Sequence, residues 1–383
     1  MGLLRTYLAL MVVSGHLVSL DAQLATPLAN GAIVAVKIFF LISGFYMSLV
    51  LDRKYGERTF EFYKSRALRL YPLYWVTCLA VVALAFLPVG TNGMAVGLLR
   101  HFSILQPSLQ AWVILSNVTF LGSDLLSFVY CCGTDGGQVH LFPETAPPGG
   151  HNLEDYLAVP QSWTLGIEVV FYLVAPFLFR KSWSGILLLL AVSVGSRMLV
   201  FGIGLHGYDW SRHFILSEGA YFALGMASYR LYRIIPERLF TRGNMWLAAA
   251  VVFSWTTIEA TVYIKNVDLG DREIWQALYQ WGYMAVMVVA IPFLFRLSNG
   301  SRADFLAGEL SYPIYITHVP TVIFLLPLFR NALAGWTVAE RLSFCFGAVI
   351  AVALLGIALV SYPVEYLRGR RTMRARYAPL KGA

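Results

Sequence analysis

Arg5 and His16 are the residues of this chain whose types and spacing most directly suggest chemistry. Both fall in one apolar stretch, eleven positions apart. Eleven helical steps bring a side chain back to within about 20° of the same face and raise it about 16 Å, roughly half a hydrocarbon core. This reading puts Arg5 at one edge of a bilayer and His16 near its middle, on one stripe. Such a pair can hold an anionic group at one end and move a proton deeper in, because imidazole is the usual general base. The same pair also fits a plain orienting arginine and a histidine satisfied by an interhelical hydrogen bond.

Three further sets carry polar chemistry at helical spacing. Arg66 and Arg69 are three apart and share a helix face. Two forked guanidinium groups facing one way suit phosphate, although basic residues beside a span are often only topogenic. Pro72 follows where a helix's first turn tolerates it, with Tyr74 and Trp75 at interface depth. Glu168 and Tyr172 face one direction, with Trp163 and Leu165 in the preceding turn. A carboxylate there must pair or take a proton, and Arg197, Lys37 or His16 are candidate partners. Ser311, Tyr315 and His318 make an i, i+4, i+7 stripe followed by Pro320. Arg197, Glu218 and Glu259 lack a spacing signature and read as structural pairs.

These groups need membrane helices to position them. Hydrophobic residues make up 58% of the 383, charged ones only 13%, and the mean hydropathy is +0.65. A soluble domain needs far more surface charge. Span-length apolar stretches recur at roughly 3–21, 30–51, 71–89, 163–180, 183–204, 214–230, 244–263, 274–296, 304–328 and 340–362. The first lacks a small-residue cleavage site, so it reads as a span rather than a removed signal. The expectation is an all-α bundle of about ten transmembrane helices.

Orientation follows from the basic residues, 21 of the 29 of which fall on alternate loops, in the tail or at Arg5. That bias places both termini in the cytoplasm and requires an even number of spans. Residues 112–130 are apolar too, but an eleventh crossing would reverse every later loop. They are therefore expected to form a re-entrant or surface-lying helix within an extracytoplasmic loop, 90–161. The second half of that loop is rich in Gly and Pro and is expected to be irregular, which is uncommon at this length unless functional or disordered.

The net charge of +8 is mostly topogenic arginine and does not indicate nucleic acid. The tail, 367–383, could also touch anionic lipid. No Gly-rich phosphate loop and no metal-ligand spacing occurs, so no metal is expected. Asn117-Val118-Thr119 matches a glycosylation acceptor, but its apolar setting reads as coincidence.

Taken together, the motifs resemble the membrane acyltransferase-3 family, bacterial polytopic O-acyltransferases that modify surface glycans. The matching pieces are Arg5 with His16, then Phe39-Phe40-Leu41-Ile42-Ser43-Gly44-Phe45, then Arg66 with Arg69, Pro72 and Tyr74. Trp163-Thr164-Leu165-Gly166-Ile167-Glu168 with Tyr172 follows, and last Ser311-Tyr312-Pro313-Ile314-Tyr315 with His318 and Pro320. They keep the family's order across nearly the whole chain.

The resemblance implies one transmembrane domain over 1–366 in the bacterial inner membrane. It implies acetyl-CoA or another acyl-CoA as donor substrate, bound from the cytoplasm, with no permanently bound cofactor. The acceptor would be a glycan or glycolipid hydroxyl on the far side. Arg5, Arg66 and Arg69 would contact donor phosphates, His16 would be catalytic as base or acyl carrier, and Glu168 would serve the same site. Lys37, Ser43, Tyr74, Trp163, Tyr172, Tyr315 and His318 would support it. Lys37 departs from the acidic or small polar residue of many relatives. With the stand-alone form expected, acceptor choice would rest with loop 90–161. A transporter or flippase also puts charges at mid-membrane, and a second class of polytopic acyltransferase would favour His318 as the catalytic histidine.

Overall fold

The computed structural model describes residues 1–86, 102–132, 138–141, 150–180, 183–204, 210, 213–261, 272–333 and 335–367. From residue 368 the basic tail lies outside them, as do 133–137 and 142–149 of the Gly/Pro-rich stretch. Ten helices of 18–27 residues dominate: α1 (Gly2–Leu20), α2 (Ala32–Val50), α3 (Thr59–Ala85), α5 (Trp163–Arg180), α6 (Trp183–Gly202), α7 (Ile215–Ile234), α8 (Arg242–Thr261), α9 (Arg272–Ser298), α10 (Arg302–Leu328) and α11 (Val338–Gly356). A shorter α4 (Pro107–Thr119) lies between α3 and α5. Eight of the ten are both long and apolar enough to cross a bilayer. The other two, α7 and α8, have the length but carry Glu218, Arg230 and Arg233, and Arg242 and Glu259. The protein is an all-helical, multi-pass membrane protein.

Span boundaries differ from expectation mainly at α3. The basic linker and the span form one continuous helix, so Pro72 sits in the interior of α3 rather than in its first turn. Arg66 and Arg69 are thereby held rigidly on the same helix as Tyr74. At the other end of the chain, α11 starts at a Thr337–Glu340 capping box and continues through a π turn, Ile357–Ser361, to Leu367. The box satisfies two otherwise orphaned N–H groups reciprocally.

Lipid offers no hydrophobic drive for helices to associate, so close packing must do it. The α2–α7 pair shows how. A Cβ on Gly44 would stand 2.2 Å from the Phe222 carbonyl oxygen, and one on Gly225 would stand 2.0 Å from that of Leu41. Only glycine at both positions lets the two backbones touch. At the Arg5 end, the Asp304 carboxylate accepts from the backbone N–H groups of Gly2 (2.7 Å) and Leu3 (3.0 Å), which ties the start of α1 to α10. Packing of α1 against α10 and α2 then fills the centre of the bundle.

Helix α4 spans about 20 Å at 1.5 Å per residue, too short to cross the membrane. It starts at Pro107 and stops where Phe120 adopts φ 67°, so its bounds lie several residues before the 112–130 read from the sequence. Its last carbonyls are taken by α3: Tyr71 donates to Thr119 (2.8 Å) and the Trp75 indole to Val118 (2.9 Å). Beyond it lies an unforeseen three-stranded antiparallel sheet, order β2-β1-β3, of β1 (Val129–Cys131), β2 (His140–Leu141) and β3 (His151–Asn152). Asn117 clamps this segment: its amide donates to Val113 (3.0 Å) and Tyr156 (3.1 Å), and its carbonyl accepts from Ala158 N–H (2.8 Å). That use explains an Asn in an apolar setting without any glycan.

Asp124 leads into β1 and is buried, which pushes its carboxyl up from 3.8 to about 6. A carboxyl whose folded value is raised favours the fold below its unfolded value, and that contribution is lost as pH rises through about 6. Asp124→Asn is expected to raise the thermal midpoint at pH 7.5, by the equivalent of about 2–3 kcal/mol, with no gain at pH 4. A melting series across pH 4–8 checks this.

Candidate active site

Two cavities lie in series inside the bundle. One opens among the arginines and measures about 350 Å³. The other opens toward the α4–β-sheet segment and measures about 340 Å³. They share Val36 and Tyr315 as lining residues, so these side chains form the partition between them.

The arginine cavity gathers Arg5 from α1, Ser43 and Tyr46 from α2, Arg66 and Arg69 from α3, Glu168 and Tyr172 from α5, and Glu309, Tyr312 and Tyr315 from α10. Three guanidinium groups from two helices therefore face one space. The field of the Glu168 and Glu309 carboxylates reaches both Arg5 and Arg69, which offsets part of the cost of crowding cations away from water. The Arg66 Nε is buried without a hydrogen-bond acceptor, and its guanidinium lies 5.9 Å from the Phe62 ring centre. Glu168 accepts hydrogen bonds from the hydroxyls of both Ser43 and Tyr172. This locks the carboxylate against α2 and makes a rigid wall opposite the arginines.

The second cavity holds His16, four residues before the end of α1. Its ring meets that of His318 with centres 4.9 Å apart. Hydrogen-bond counting assigns the tautomers. His318 Nδ1 stands 2.8 Å from the Tyr315 carbonyl and 3.2 Å from that of Ile314, so it carries the proton and Nε2 is an acceptor. His16 Nδ1 stands 3.0 Å from the Val12 carbonyl and 3.2 Å from His318 Nε2. Both neighbours are acceptors, so His16 also carries its proton on Nδ1. The lone pair is then on His16 Nε2, the arrangement a general base needs.

Prolines within α10 leave carbonyls around this pair without their usual intrahelical donor. Pro320 cannot donate to the Ile316 carbonyl four residues back. Gln161 replaces it, its amide donating to Ile316 (3.1 Å) and to Tyr315 (2.9 Å). The Tyr315 hydroxyl in turn bonds Thr164 Oγ1 at 2.7 Å, and its ring meets Phe39 at 5.9 Å. The partition is thus fixed by α2, α5 and α10 together.

Most residues singled out from the sequence converge here, but not all in one place. Arg5, Arg66, Arg69, Ser43, Glu168 and Tyr172 line the arginine cavity; His16, Lys37 and Trp163 line the other; Tyr315 lines both. His16 and Glu168 are therefore in different cavities, and His16 is partnered by His318. Tyr74 lines neither cavity: it is 0% exposed and packs on Phe120 with ring centres 4.1 Å apart, a structural post for the segment after α4. Arg197 pairs with Glu218 at 2.9 Å, away from Glu168. Sequence reasoning missed Glu309 and Tyr312, although Glu309, Tyr312 and Tyr315 repeat every three residues along α10. It also missed Asn152, Glu154 and His213, which reach the His16 cavity from outside the long helices, and Gln161, in the turn that leads into α5; none has a periodic signal.

Residues 1–360 match a family model described as an acyltransferase domain. The exopolysaccharide production protein ExoZ of Rhizobium meliloti (strain 1021) is 26% identical over 309 residues, 72% of this chain and 83% of that protein. Nodulation protein 10 of Rhizobium leguminosarum bv. viciae is 25% identical over 396 residues, 96% of this chain and 93% of its own length. No solved structure matches.

Proposed function

The chain belongs to the acyltransferase-3 family, and from that premise we propose that it carries an acetyl group from cytoplasmic acetyl-CoA to a carbohydrate hydroxyl across the bacterial inner membrane. The observation that carries this reading is the pair of cavities in series, three arginines in one and a base-competent histidine in the other, with Tyr315 between them. A coenzyme A head group has phosphates for Arg5, Arg66 and Arg69. Its pantetheine arm is long enough to bring a thioester past Tyr315, over the roughly 16 Å that separate Arg5 from His16 along α1. The relative whose name refers to exopolysaccharide production supports a carbohydrate acceptor.

In this mechanism the acceptor O–H gives its proton to His16 Nε2 as its oxygen attacks the thioester carbon. The imidazolium is stabilised through Nδ1–H by the Val12 carbonyl and His318 Nε2. Collapse of the tetrahedral intermediate breaks the C–S bond, and His16 returns the proton to the thiolate sulfur. No net charge crosses. Termini in the cytoplasm and the α4–β-sheet segment outside fit the charge distribution of the loops. The test is acetyl transfer from acetyl-CoA to an oligosaccharide by the purified protein, read by mass spectrometry; a product mass increased by one acetyl group supports the reading, and donor turnover with no acylated sugar sinks it.

A further inference from the structure

The His16 cavity contains a cation that the transfer chemistry does not use. Lys37 is only 6% exposed, yet among the described residues its ammonium has no hydrogen bond and no ion pair within 4 Å. It lies 5.5 Å from the centre of the Tyr221 ring. The Arg197 guanidinium also lies against Tyr221, at 5.6 Å, but Arg197 is spent on Glu218 (2.9 Å) and on the Ser217 carbonyl (2.7 and 3.0 Å). Each carboxylate facing the cavity has a counter-group: Glu218 has Arg197, and Glu154 stands 3.9 Å from His213 Nδ1. The field of the Glu259 carboxylate reaches Lys37 at longer range.

We infer that the His16 cavity is the acceptor subsite and takes an anionic sugar residue, whose carboxylate or phosphate is held by Lys37. An ammonium withdrawn from water needs acceptors and a compensating charge. Lys37 lines the cavity, and a neutral sugar supplies the first requirement only. Trp163 and Asn152 line the same space and supply aromatic and polar surface to it. A cavity of about 340 Å³ holds a sugar ring with part of a neighbour. The inference rests on the proposed direction of transfer, with the acceptor entering at the His16 end.

The test is direct binding by the full-length protein in detergent, measured by calorimetry without donor. The probes are methyl β-glucuronide, glucose 1-phosphate and methyl β-glucoside. A charge-assisted bond predicts that at least one charged probe binds about ten- to hundredfold more tightly than the glucoside. The better of the two charged probes tells a carboxylate from a phosphate. In Lys37→Met the ratio collapses to within about twofold, and Lys37→Arg restores most of it. Retained CoA binding by Lys37→Met shows that the variant is folded. Equal affinities in the parent protein, no binding of any probe, or discrimination that survives Lys37→Met would each overturn the inference. Acetyl transfer to the same probes is followed in parallel. Charge discrimination without transfer would sink the proposed reaction and leave the role of Lys37 standing; transfer that favours the glucoside would do the reverse.

Discussion

His16→Asn is expected to lower kcat for acetyl transfer to sugar by about 10²–10⁴-fold, with CoA binding held within about twofold. Asparagine is the informative substitution because its Nδ2–H can still donate where His16 Nδ1 does, toward Val12 and His318. Alanine would leave the buried His318 Nε2 without its donor, a cost of about 1–3 kcal/mol that could be mistaken for a catalytic effect. Separation of the two cavities makes the second half of the prediction strict: in the proposed mechanism the donor phosphates sit at the arginine end, roughly 16 Å along α1 from His16. Steady-state transfer and CoA calorimetry on one preparation check both halves. His318→Gln should leave residual activity with a shifted pH profile, since the hydrogen bonds of His318 among the described residues go to His16 and the α10 backbone. Equal losses at both histidines, or greater loss at His318, would favour His318 as the base.

The second large effect falls on the donor. Arg69→Lys and Arg66→Lys should each raise the KM for acetyl-CoA by about ten- to hundredfold with little change in kcat. Lysine keeps the charge but loses the fork that grips a phosphate in two places. Lysine is also the fair comparison, because alanine would strand Glu309 and Glu168, whose fields act on Arg69. The loss in the doubly substituted protein should exceed either single loss and grow with ionic strength. A fall in kcat at constant KM would place these arginines in the chemical step instead.

The long-range features legible in the sequence were those set by local helical geometry. Arg5 and His16 share a face because α1 is one unbroken helix, and Arg66 and Arg69 do so because α3 is. The division of labour between two cavities was not legible, since it depends on how α1, α2, α5 and α10 cross. Glu168 illustrates the limit: its need for a partner follows from burial, but the partners are hydroxyls of Ser43 and Tyr172 rather than any of the cations considered. Likewise, the place of His318 on a polar stripe is visible in the chain, while its contact with His16, 302 residues away, is a product of packing. The small sheet after α4 has strands of two or three residues, too short for alternation to show.

The central claim is that donor and acceptor enter from opposite faces and meet through one protein. Sealed proteoliposomes of known protein orientation, loaded with an acceptor oligosaccharide and given acetyl-CoA outside, test it most directly. Acetylated oligosaccharide should accumulate in the lumen only in vesicles whose arginine cavity faces outward, and should vanish with His16→Asn. Product formed only when donor and acceptor share a compartment would contradict the account.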